Sequence, residues 1–392
     1  MKMKRRIWKL LCCLLLMLSI LPLGIVTPSA EQPKKEFVLA MSHCPLGVDA
    51  EIASHALPCV ATLRGVATYS AVLEADAENL RDLMLCPGGM PFGVKFYTDG
   101  VMVVGFCDID TGKGSVNPAT RAGLRQKDVI LKINGEDIKG AADMTERIEA
   151  SGGKPLKLFC RRGNKEFETT LTPVLSAAEG QYKTGIWVRD SGAGIGTVTF
   201  LFPDSGAFAG LGHGICDADT GALVQMRKGA VSDVTISSVV KGAAGAPGEL
   251  KGHFNPGRSG ALLGNSACGV WGVFSEVPDL SCEPMPIGLR DDLREGDAYI
   301  LCTATGEKAQ KYDIRISNVK RDAKGSKCFT VTVTDPDLLA LTGGIVQGMS
   351  GSPIIQDGKL VGAVTHVLIN DPTTGYGIFL ENMLANMPVL AR

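Results

Sequence analysis

A serine set among glycines is the first feature of this chain that could carry out chemistry. Ser350 lies in the stretch "GIVQGMSGSP", between apolar, strand-like segments. A serine on a sharp turn exposes its Oγ for nucleophilic attack, and the backbone N–H groups of Gly348 and Ser350 can form an oxyanion hole. Ser352 is a second candidate nucleophile, but Ser350 occupies the glycine-flanked position. Most GxSG strings are ordinary turns, so a base elsewhere in the chain has to support the assignment.

Histidine is the side chain best suited to accept the serine proton near neutral pH. His213, in "GLGHGI", is the candidate because Gly212 and Gly214 allow the backbone to come close to another element or to a substrate. A structural histidine on an apolar strand is the alternative interpretation. His366 and Asp371 follow the serine in the chain, and both are interpreted as structural.

Composition and charge describe a globular protein and exclude one class of function. Of the 392 residues, 45% are hydrophobic and 21% are charged, which is typical of a chain with a substantial core. The 40 basic residues are balanced by 41 acidic ones. A nucleic-acid-binding function is therefore not expected.

The N-terminus resembles an export signal. Five positive charges precede an apolar run from Leu10 to Val26, so residues 1–30 are predicted to form a signal peptide or a membrane anchor. The working part of the protein is then expected outside the cytoplasm. Residues 31–86 contain few patterns and are interpreted as an accessory region or stalk.

Cysteines and histidines do not form a recognisable metal-binding pattern. Ten cysteines follow the N-terminal segment without any CxxC pair, and buried thiols are the expected interpretation. One group has zinc-ligating residue types but no known zinc spacing: His43, Cys44, His55 and Cys59. Neither a metal nor a cofactor is predicted. A thiol peptidase using Cys216 is disfavoured because Cys216 follows His213 by only three residues in a strand-like run.

Residues 87–175 have the element order of a PDZ-like α+β domain. The predicted order is strand, strand, short helix, strand, helix and two strands. The segments "NPATRAGL" and "KDVILKING" resemble the PDZ family closely, although Lys127 stands where a glycine is usual. "PFGVKF", with Phe92, Gly93 and Val94, is predicted to be the loop whose N–H groups receive a peptide carboxylate.

Residues 176–392 are predicted to be mainly β. Short strand-like runs are separated by Gly, Pro and Asp, and amphipathic helical windows are almost absent. About 200 residues of this kind suit a chymotrypsin-like double β-barrel. Histidine before serine is also the order of that plan.

Three segments and the N-terminus together resemble the SpoIVB-type (S55) serine peptidases. These are "PGGMPFGVKFYTDGVMVVGF", "GLGHGICDADTG" and the long final block that contains "GMSGSP". The resemblance runs from about residue 87 to the C-terminus and is loose over residues 31–86. It implies an exported, membrane-associated serine endopeptidase with a PDZ domain, and it implies the site residues Ser350, His213 and Asp335.

The resemblance also implies a place and a set of partners. Members of the family act during sporulation in the space between the forespore and mother-cell membranes. They cleave themselves and the regulatory subunit that inhibits an intramembrane metalloprotease, which triggers processing of a mother-cell sigma-factor precursor. The alternative for this chain is a catalytically inactive, PDZ-bearing scaffold of the forespore envelope.

The acidic member of the site is the assignment with the most alternatives. Asp335 lies only fifteen residues before Ser350, whereas double-barrel proteases usually take this residue from the barrel of the histidine. Asp335 could equally stabilise a turn through nearby N–H groups. The competing candidates are Asp217, Asp219 and Asp233.

Overall fold

The computed structural model describes residues 80–255, 259–276, 283–306 and 308–387. Residues 1–30, nearly all of the region 31–86 and the zinc-like group near residue 50 lie outside this range. Among the described residues, no helix is both long enough and apolar enough to span a membrane.

The described residues form 23 strands and four helices. The strands are β1 (Met84–Pro87), β2 (Pro91–Phe106), β3 (Ile109–Asp110), β4 (Ser115–Val116), β5 (Val129–Ile133), β6 (Glu136–Asp137), β7 (Leu156–Arg162), β8 (Lys165–Leu171), β9 (Val174–Leu175), β10 (Tyr182–Lys183), β11 (Ile186–Leu201), β12 (Ala207–Gly210), β13 (Met226–Val240), β14 (Glu249–Phe254), β15 (Gly260–Ser266), β16 (Gly269–Phe274), β17 (Met285–Pro286), β18 (Gly296–Cys302), β19 (Gln310–Ser317), β20 (Phe329–Val333), β21 (Pro353–Gln356), β22 (Lys359–Leu368) and β23 (Asp371–Phe379). The helices are α1 (Pro118–Arg121), α2 (Ala141–Ala150), α3 (Pro336–Thr342) and α4 (Leu380–Ala385).

The first barrel is a ring of six antiparallel strands. In order around the ring these are β2, β11, β12, β16, β15 and β13, and the pairing of β13 with β2 closes it. Aromatic rings fill its interior, where Phe92 and Phe208 meet edge to face with centroids 5.6 Å apart. Such rings bury a large apolar area and so contribute strongly to the hydrophobic free energy of folding.

The stretch "PFGVKF" belongs to this barrel, which corrects the prediction of a carboxylate-binding loop. Phe92, Gly93 and Val94 lie inside β2, which pairs with β11 on one side and with β13 on the other. Phe92 and Val94 are buried in the barrel core. Because both edges of β2 are occupied at these positions, the segment cannot accept an added peptide strand.

The PDZ-like unit lies between the two long strands β2 and β11. The second half of β2 leaves the barrel and pairs with β5, which continues through β7 to β8. A separate apolar core forms beneath α1 and α2, with Met144 and Ile148 of α2 buried in it. The structure therefore divides the chain differently from the predicted ranges 87–175 and 176–392, because β2 and β11 each belong to both units.

Lys127 explains why this position of the PDZ-like unit usually holds a glycine. Its φ angle is 77°, in the left-handed region that costs a residue with a Cβ. The Lys127 N–H nevertheless donates to the carbonyl of Val103, 2.9 Å away. The turn is kept with a residue that is less suited to it than glycine.

The second barrel is closed by strands from the C-terminal part of the chain. Its order is β18, β19, β20, β23, β22 and β21, with β21 pairing back to β18. Helix α3 connects β20 to the turn that carries Ser350, and α4 follows β23. A single buried cluster spans both barrels, with Phe200 and Trp271 from the first and Val346 and Met349 from the second. The predicted mainly β architecture, a PDZ-like unit with a double β-barrel, is confirmed.

Candidate active site

The turn that carries Ser350 is shaped by glycines at positive φ. Helix α3 ends at Gly343, which adopts φ 74° as its C-cap. Gly348 and Gly351 then adopt φ 98° and 97°, on either side of Ser350. A Cβ on Gly351 would lie 2.0 Å from the Thr197 carbonyl oxygen and 2.5 Å from the Leu211 nitrogen. Glycine at 351 therefore allows the serine turn to touch the first barrel.

Two threonines of the first barrel hold this turn in place. Thr197 Oγ1 donates to the Gly348 carbonyl (2.8 Å), and the Thr197 N–H donates to the Ser350 carbonyl (2.9 Å). Thr199 Oγ1 donates to the Gly351 carbonyl (2.7 Å). Both threonines are buried, so these bonds are shielded from competing water. Sequence analysis missed both residues, although their alternation in "GTVTF" of β11 gave them a common face.

The oxyanion-hole donors named from the sequence are available in the structure. Within the described residues, the N–H groups of Gly348 and Ser350 donate no hydrogen bond. The Met349 N–H between them is occupied by the Val346 carbonyl at 3.1 Å. Two unoccupied donors on either side of an occupied one suit the binding of a substrate carbonyl oxygen.

His213 reaches the second barrel through an unusual backbone. Leu211 and Gly212 adopt φ 67° and 64°, and Leu211 accepts the strain of a left-handed non-glycine residue. A Cβ on Gly212 would lie 2.8 Å from the Thr365 methyl group. The backbone just before His213 therefore packs closely against β22, at Thr365.

The protonation state of His213 fits a general base. Its Nδ1 lies 3.0 Å from the Gly214 carbonyl oxygen, so Nδ1 carries the proton and Nε2 is left as an acceptor. Burial lowers the pKa of His213 below its usual value, and the bond to Gly214 offsets part of that shift. The imidazole is therefore neutral at pH 7 and able to accept a proton.

The Ser350 hydroxyl is not bonded to His213 in this structure. Its Oγ donates to the carbonyl oxygen of Thr365 at 2.7 Å. Thr365 is itself held by hydrogen bonds from its hydroxyl to the carbonyls of Ser326 and Tyr376. The Ser350 hydroxyl hydrogen is thus directed at the Thr365 carbonyl, and it has to leave this bond before it can be transferred to another base.

A second histidine lies against His213. The rings of His213 and His366 are 4.8 Å apart between centroids and tilted by 39°. His366 Nδ1 is buried and has no hydrogen-bond partner among the described residues. Burial, followed by the charges of His213 and Lys327, lowers the pKa of His366 to about 4. Sequence analysis interpreted His366 as structural, and only the docking of the two barrels reveals this neighbour.

Asp335 has a structural role in helix α3. It is the N-cap of that helix, where its Oδ1 accepts from the N–H groups of Asp337 (3.0 Å) and Leu338 (2.9 Å). Its Oδ2 accepts from the Asp313 N–H at 3.2 Å. No hydrogen bond or ion pair joins it to His213 within the described part of the chain. The structure thus matches the turn-stabilising alternative.

Within the described residues, no competing carboxylate is hydrogen-bonded or ion-paired to His213. Asp217 and Asp219 both pair with Arg189 of β11, and Asp217 also accepts from the Thr220 N–H. Asp233 lies exposed on β13 and is paired in register with Phe92. Asp371 accepts from Thr373 in its own turn, as a structural residue would.

The two alternative nucleophiles are less suitable than Ser350. Ser352 is fully buried and its Oγ donates to the Met349 carbonyl at 2.7 Å. Cys216 is exposed, but partial burial raises its pKa. A protonated thiol is a poor nucleophile. Ser350 is the hydroxyl that lies beside two unoccupied N–H donors.

Comparison with known proteins gives partial matches to proteases. The chain is 35% identical over 89 residues to a probable protease, eep, of Enterococcus faecalis, covering 21% of each chain. It is 40% identical over 79 residues to a putative serine protease, HhoB, of Synechocystis sp., covering 20% of this chain and 17% of that one. The chain thus spans about a fifth of the length of these curated relatives.

A solved structure and a family complete the comparison. The HtrA-type protease AlgW with a tripeptide matches 49% of this chain and 54% of its own, with a TM-score of 0.30 and 14% identity. The sequence model of the SpoIVB peptidase S55 family matches residues 180–384, just over half of the chain and all of the residues around Ser350 and His213. The chain therefore belongs to the SpoIVB peptidase family S55, a family of serine peptidases.

Proposed function

We propose that this chain is a sporulation serine endopeptidase in which Ser350 is the nucleophile and His213 the general base. His213 Nε2 takes the proton of Ser350 as Oγ attacks the scissile carbonyl carbon. The N–H groups of Gly348 and Ser350 stabilise the oxyanion, and the His213 proton then passes to the leaving amine. Water, activated by His213, hydrolyses the acyl-enzyme. This reaction requires no metal or cofactor.

One observation carries this proposal. The turn with Ser350 keeps two N–H donors unoccupied while its carbonyls are bonded to Thr197 and Thr199 of the opposite barrel. A turn with only a structural purpose gains nothing from leaving partly buried N–H groups unpaired, because each unpaired group costs free energy. Donors held ready for developing charge are the main requirement of acyl-transfer catalysis.

The hydrogen bond from the Ser350 hydroxyl to the Thr365 carbonyl supports a gated enzyme. A hydroxyl bonded to the Thr365 carbonyl cannot transfer its proton to His213 until it rotates. We propose that the PDZ-like unit controls this step, binding either the N-terminal segment of this chain or the terminus of a partner. Strands β2 and β11 pass from that unit into the barrel, so they offer a direct mechanical connection.

The proposed substrates follow from the family. They are the chain itself and the regulatory subunit that inhibits an intramembrane metalloprotease. Cleavage of that subunit would permit processing of a mother-cell sigma-factor precursor. The proposed place of action is the space between the forespore and mother-cell membranes, with the N-terminal segment leading the chain to that space or anchoring it in the forespore membrane.

Mass spectrometry of the purified full-length chain tests the proposal. The wild-type chain is incubated beside Ser350→Ala, with Ser326→Ala as a control serine outside the turn. Fragments are expected from the wild type and the control, and none from Ser350→Ala. Self-cleavage by Ser350→Ala would overturn the nucleophile assignment.

A second arm separates gating from inactivity. If the wild type stays intact, the regulatory subunit is added as substrate. Its cleavage by the wild type and not by Ser350→Ala supports a gated peptidase. If neither chain cuts it, the result favours the inactive scaffold, for which the paired strand β2 offers no peptide groove at Gly93.

A further inference from the structure

One edge of β11 is unpaired where the strand approaches Ser350. Over Ser191–Thr197 the strand pairs with β2 alone, and β12 pairs with its other edge only from Val198 onward. Within the described residues, positions 191–196 make no backbone–backbone hydrogen bond outside the ladder with β2. Ser191, Ala193 and Gly194 are exposed. Such an open edge (residues 191–196) is a template on which an extended peptide can add as a further strand.

The open edge ends at the candidate active site. Thr197, the residue that follows it, donates its N–H to the Ser350 carbonyl at 2.9 Å. β11 runs toward Ser350, whereas the part of a substrate that follows the scissile bond runs away from it. That part of the substrate would therefore lie antiparallel to β11. The part before the scissile bond would lie parallel to β11, which is the less stable pairing.

Three glycines alternate along the open edge, and two of them have a packing reason. A Cβ on Gly192 would lie 2.5 Å from the Phe96 ring. A Cβ on Gly196 would lie 2.0 Å from Leu211 Cδ2. Gly194 differs, because a Cβ there would meet nothing within 4 Å and its φ is outside the left-handed region. Glycine inside a strand costs conformational entropy and marks close approach of a ligand or another backbone, so Gly194 suits the approach of a peptide chain.

A cavity of about 300 Å³ lies beside the open edge. Ser191 and Ala193 of β11 line one side of it, and Ile215 and Cys216 line another. These last two residues belong to the segment that leads directly from His213. Further apolar side chains in the wall are those of Phe96 and Val224. The volume is at the lower end of the range found for ligand-binding pockets, and the cavity is continuous with the candidate active site through the chain after His213.

Strand geometry indicates which substrate residue reaches the cavity, and the charges in its wall indicate the chemistry of that residue. Ala193 lies four residues from Thr197, about 13 Å along the strand. A paired substrate advances by the same rise, so a residue about four places after the scissile bond lies beside the cavity. Arg189 in the wall is already ion-paired with both Asp217 and Asp219. An apolar side chain is therefore the occupant that leaves no charge unpaired.

We propose that the open edge of β11 and this cavity bind the leaving side of the substrate, the part that follows the scissile bond. The proposal rests on the proposed function and names what its site selects. The substrate adds as an antiparallel strand along residues 191–196 and comes closest at Gly194. A large apolar side chain about four places after the scissile bond enters the cavity. This side of the substrate departs from the first barrel once His213 has protonated its amine, while the acyl group stays on Ser350 of the second.

Gly194→Val in the full-length chain separates peptide approach from packing. The added side chain points into open space and valine favours strands, so the unfolding free energy should equal or slightly exceed that of the wild type. The kcat/KM for peptide cleavage should nevertheless fall by about tenfold, the effect of losing one or two backbone hydrogen bonds to the substrate. Gly105→Val, at a strand glycine with only ordinary contacts, is the matched control and should keep wild-type activity. Unchanged cleavage in Gly194→Val would overturn the strand pairing.

Ala193→Trp tests the cavity, because it places a large ring there. Ala178→Trp adds the same ring at an exposed alanine that does not line the cavity. Each full-length enzyme digests a mixed peptide library, and mass spectrometry identifies the residues that follow each cut. The wild type and Ala178→Trp should prefer a large apolar residue over a charged one about four places after the cut by about tenfold or more, and Ala193→Trp should lose this preference. Cleavage without any such preference, alike in all three enzymes, would overturn the cavity as a subsite and leave the proposed function standing.

A binding measurement keeps the test independent of cleavage. Fluorescently labelled hexapeptides of serine and alanine, with Phe or Lys at the fourth position, are titrated into full-length Ser350→Ala. The Phe peptide should bind more tightly, and N-methylation at one alternate set of its positions should weaken binding, because alternate N–H groups face the paired strand. Adding Ala193→Trp should remove the difference between the peptides.

The outcomes of the binding measurement separate this proposal from the proposed function. Equal binding of the two peptides, binding of neither, or an N-methylation scan without effect would overturn the leaving-side site. Selective binding of the Phe peptide, in a chain whose wild type cleaves nothing, would support the site and contradict only the proposed function.

Discussion

In the candidate site, each of the two barrels contacts and positions the candidate catalytic residue of the other barrel. Ser350 belongs to the second barrel, but its turn is bonded to Thr197 and Thr199 of the first. His213 belongs to the first barrel, but its approach segment and ring lie against Thr365 and His366 of the second. Each candidate catalytic residue is therefore placed by the barrel that does not carry it. The site depends on the docking of the barrels more than on either barrel alone.

Among the variants that disturb the contact between the barrels, Gly351→Ala is expected to have the largest effect. Its Cβ would overlap the Thr197 carbonyl at 2.0 Å, and φ is 97°. Because backbone atoms on both sides cannot move independently, we expect a loss of about 3 kcal/mol or more of unfolding free energy. Activity should fall by at least about 10²-fold through misplacement of Ser350. Chemical denaturation and peptide cleavage measure the two effects.

Gly358→Ala is the matched control for that variant. Its φ is 74°, but nothing lies within 4 Å of the added Cβ. Only the conformational cost of about 1 to 2 kcal/mol should remain, with activity unchanged. An equal loss of activity in both variants would show that contact between the barrels is not what places Ser350.

Acid pH should lower both the stability of the protein and its activity through the protonation of His213 and His366. The pKa of His213 and that of His366 both lie below their usual 6.5 in the folded protein, the latter at about 4. Between those pH values the unfolded chain binds more protons, so the unfolding free energy falls as pH is lowered from about 6.5 toward 4. Activity should fall about tenfold per pH unit below the pKa of His213, because its proton-accepting form disappears.

Thermal melts and initial cleavage rates at each pH distinguish the two causes. The rate should decline while the protein is still folded, since His213 protonates within the native state. In the Ser350→Ala variant the melts should show the same dependence on pH. A rate that fell only together with unfolding would contradict the role of His213 as base.

Thr199→Val is expected to have an intermediate effect on the serine side. The substitution leaves the Gly351 carbonyl without its buried donor, which costs about 1 to 3 kcal/mol. The Ser350 turn should loosen, and kcat should fall more than KM changes. Thr332→Val on β20, a half-buried threonine with no side-chain hydrogen bond in the described range, should stay within about 0.5 kcal/mol of the wild type. Similar losses in both variants would show that the hydrogen bond from Thr199 does not position the Ser350 turn.

The smallest effect is expected from Asp335→Ala. Loss of the N-cap of α3 should cost about 1 kcal/mol of unfolding free energy, whereas Asp335→Asn should be nearly neutral. Neither change should alter how the rate of peptide cleavage depends on pH. A large activity loss in Asp335→Asn, with normal stability, would return this residue to the candidate site.

Much of the fold could be predicted from the sequence because its signals are local. Short strand-like runs separated by Gly, Pro and Asp predicted a mainly β chain, and that prediction is confirmed together with the family. Which strands pair is a different question. The pattern of "PFGVKF" is compatible with a strand or a loop beside it, and only the pairing of β2 with β11 and β13 decides between them.

The same division runs through the candidate site. The sequence alone determined the glycine-rich turn around Ser350 and the glycines beside His213. Positive φ angles and close backbone approach require glycine, and glycine is visible in the sequence. The partners of those residues were decided by the tertiary structure: Thr197 and Thr199 for the serine, and His366 for the histidine. For Asp335 the sequence was misleading. A carboxylate at this position suited a catalytic role, but in the structure it accepts hydrogen bonds from backbone N–H groups as the N-cap of α3. Contacts between the two barrels join residues that are far apart in the sequence, so they cannot be predicted from the spacing of neighbouring residues.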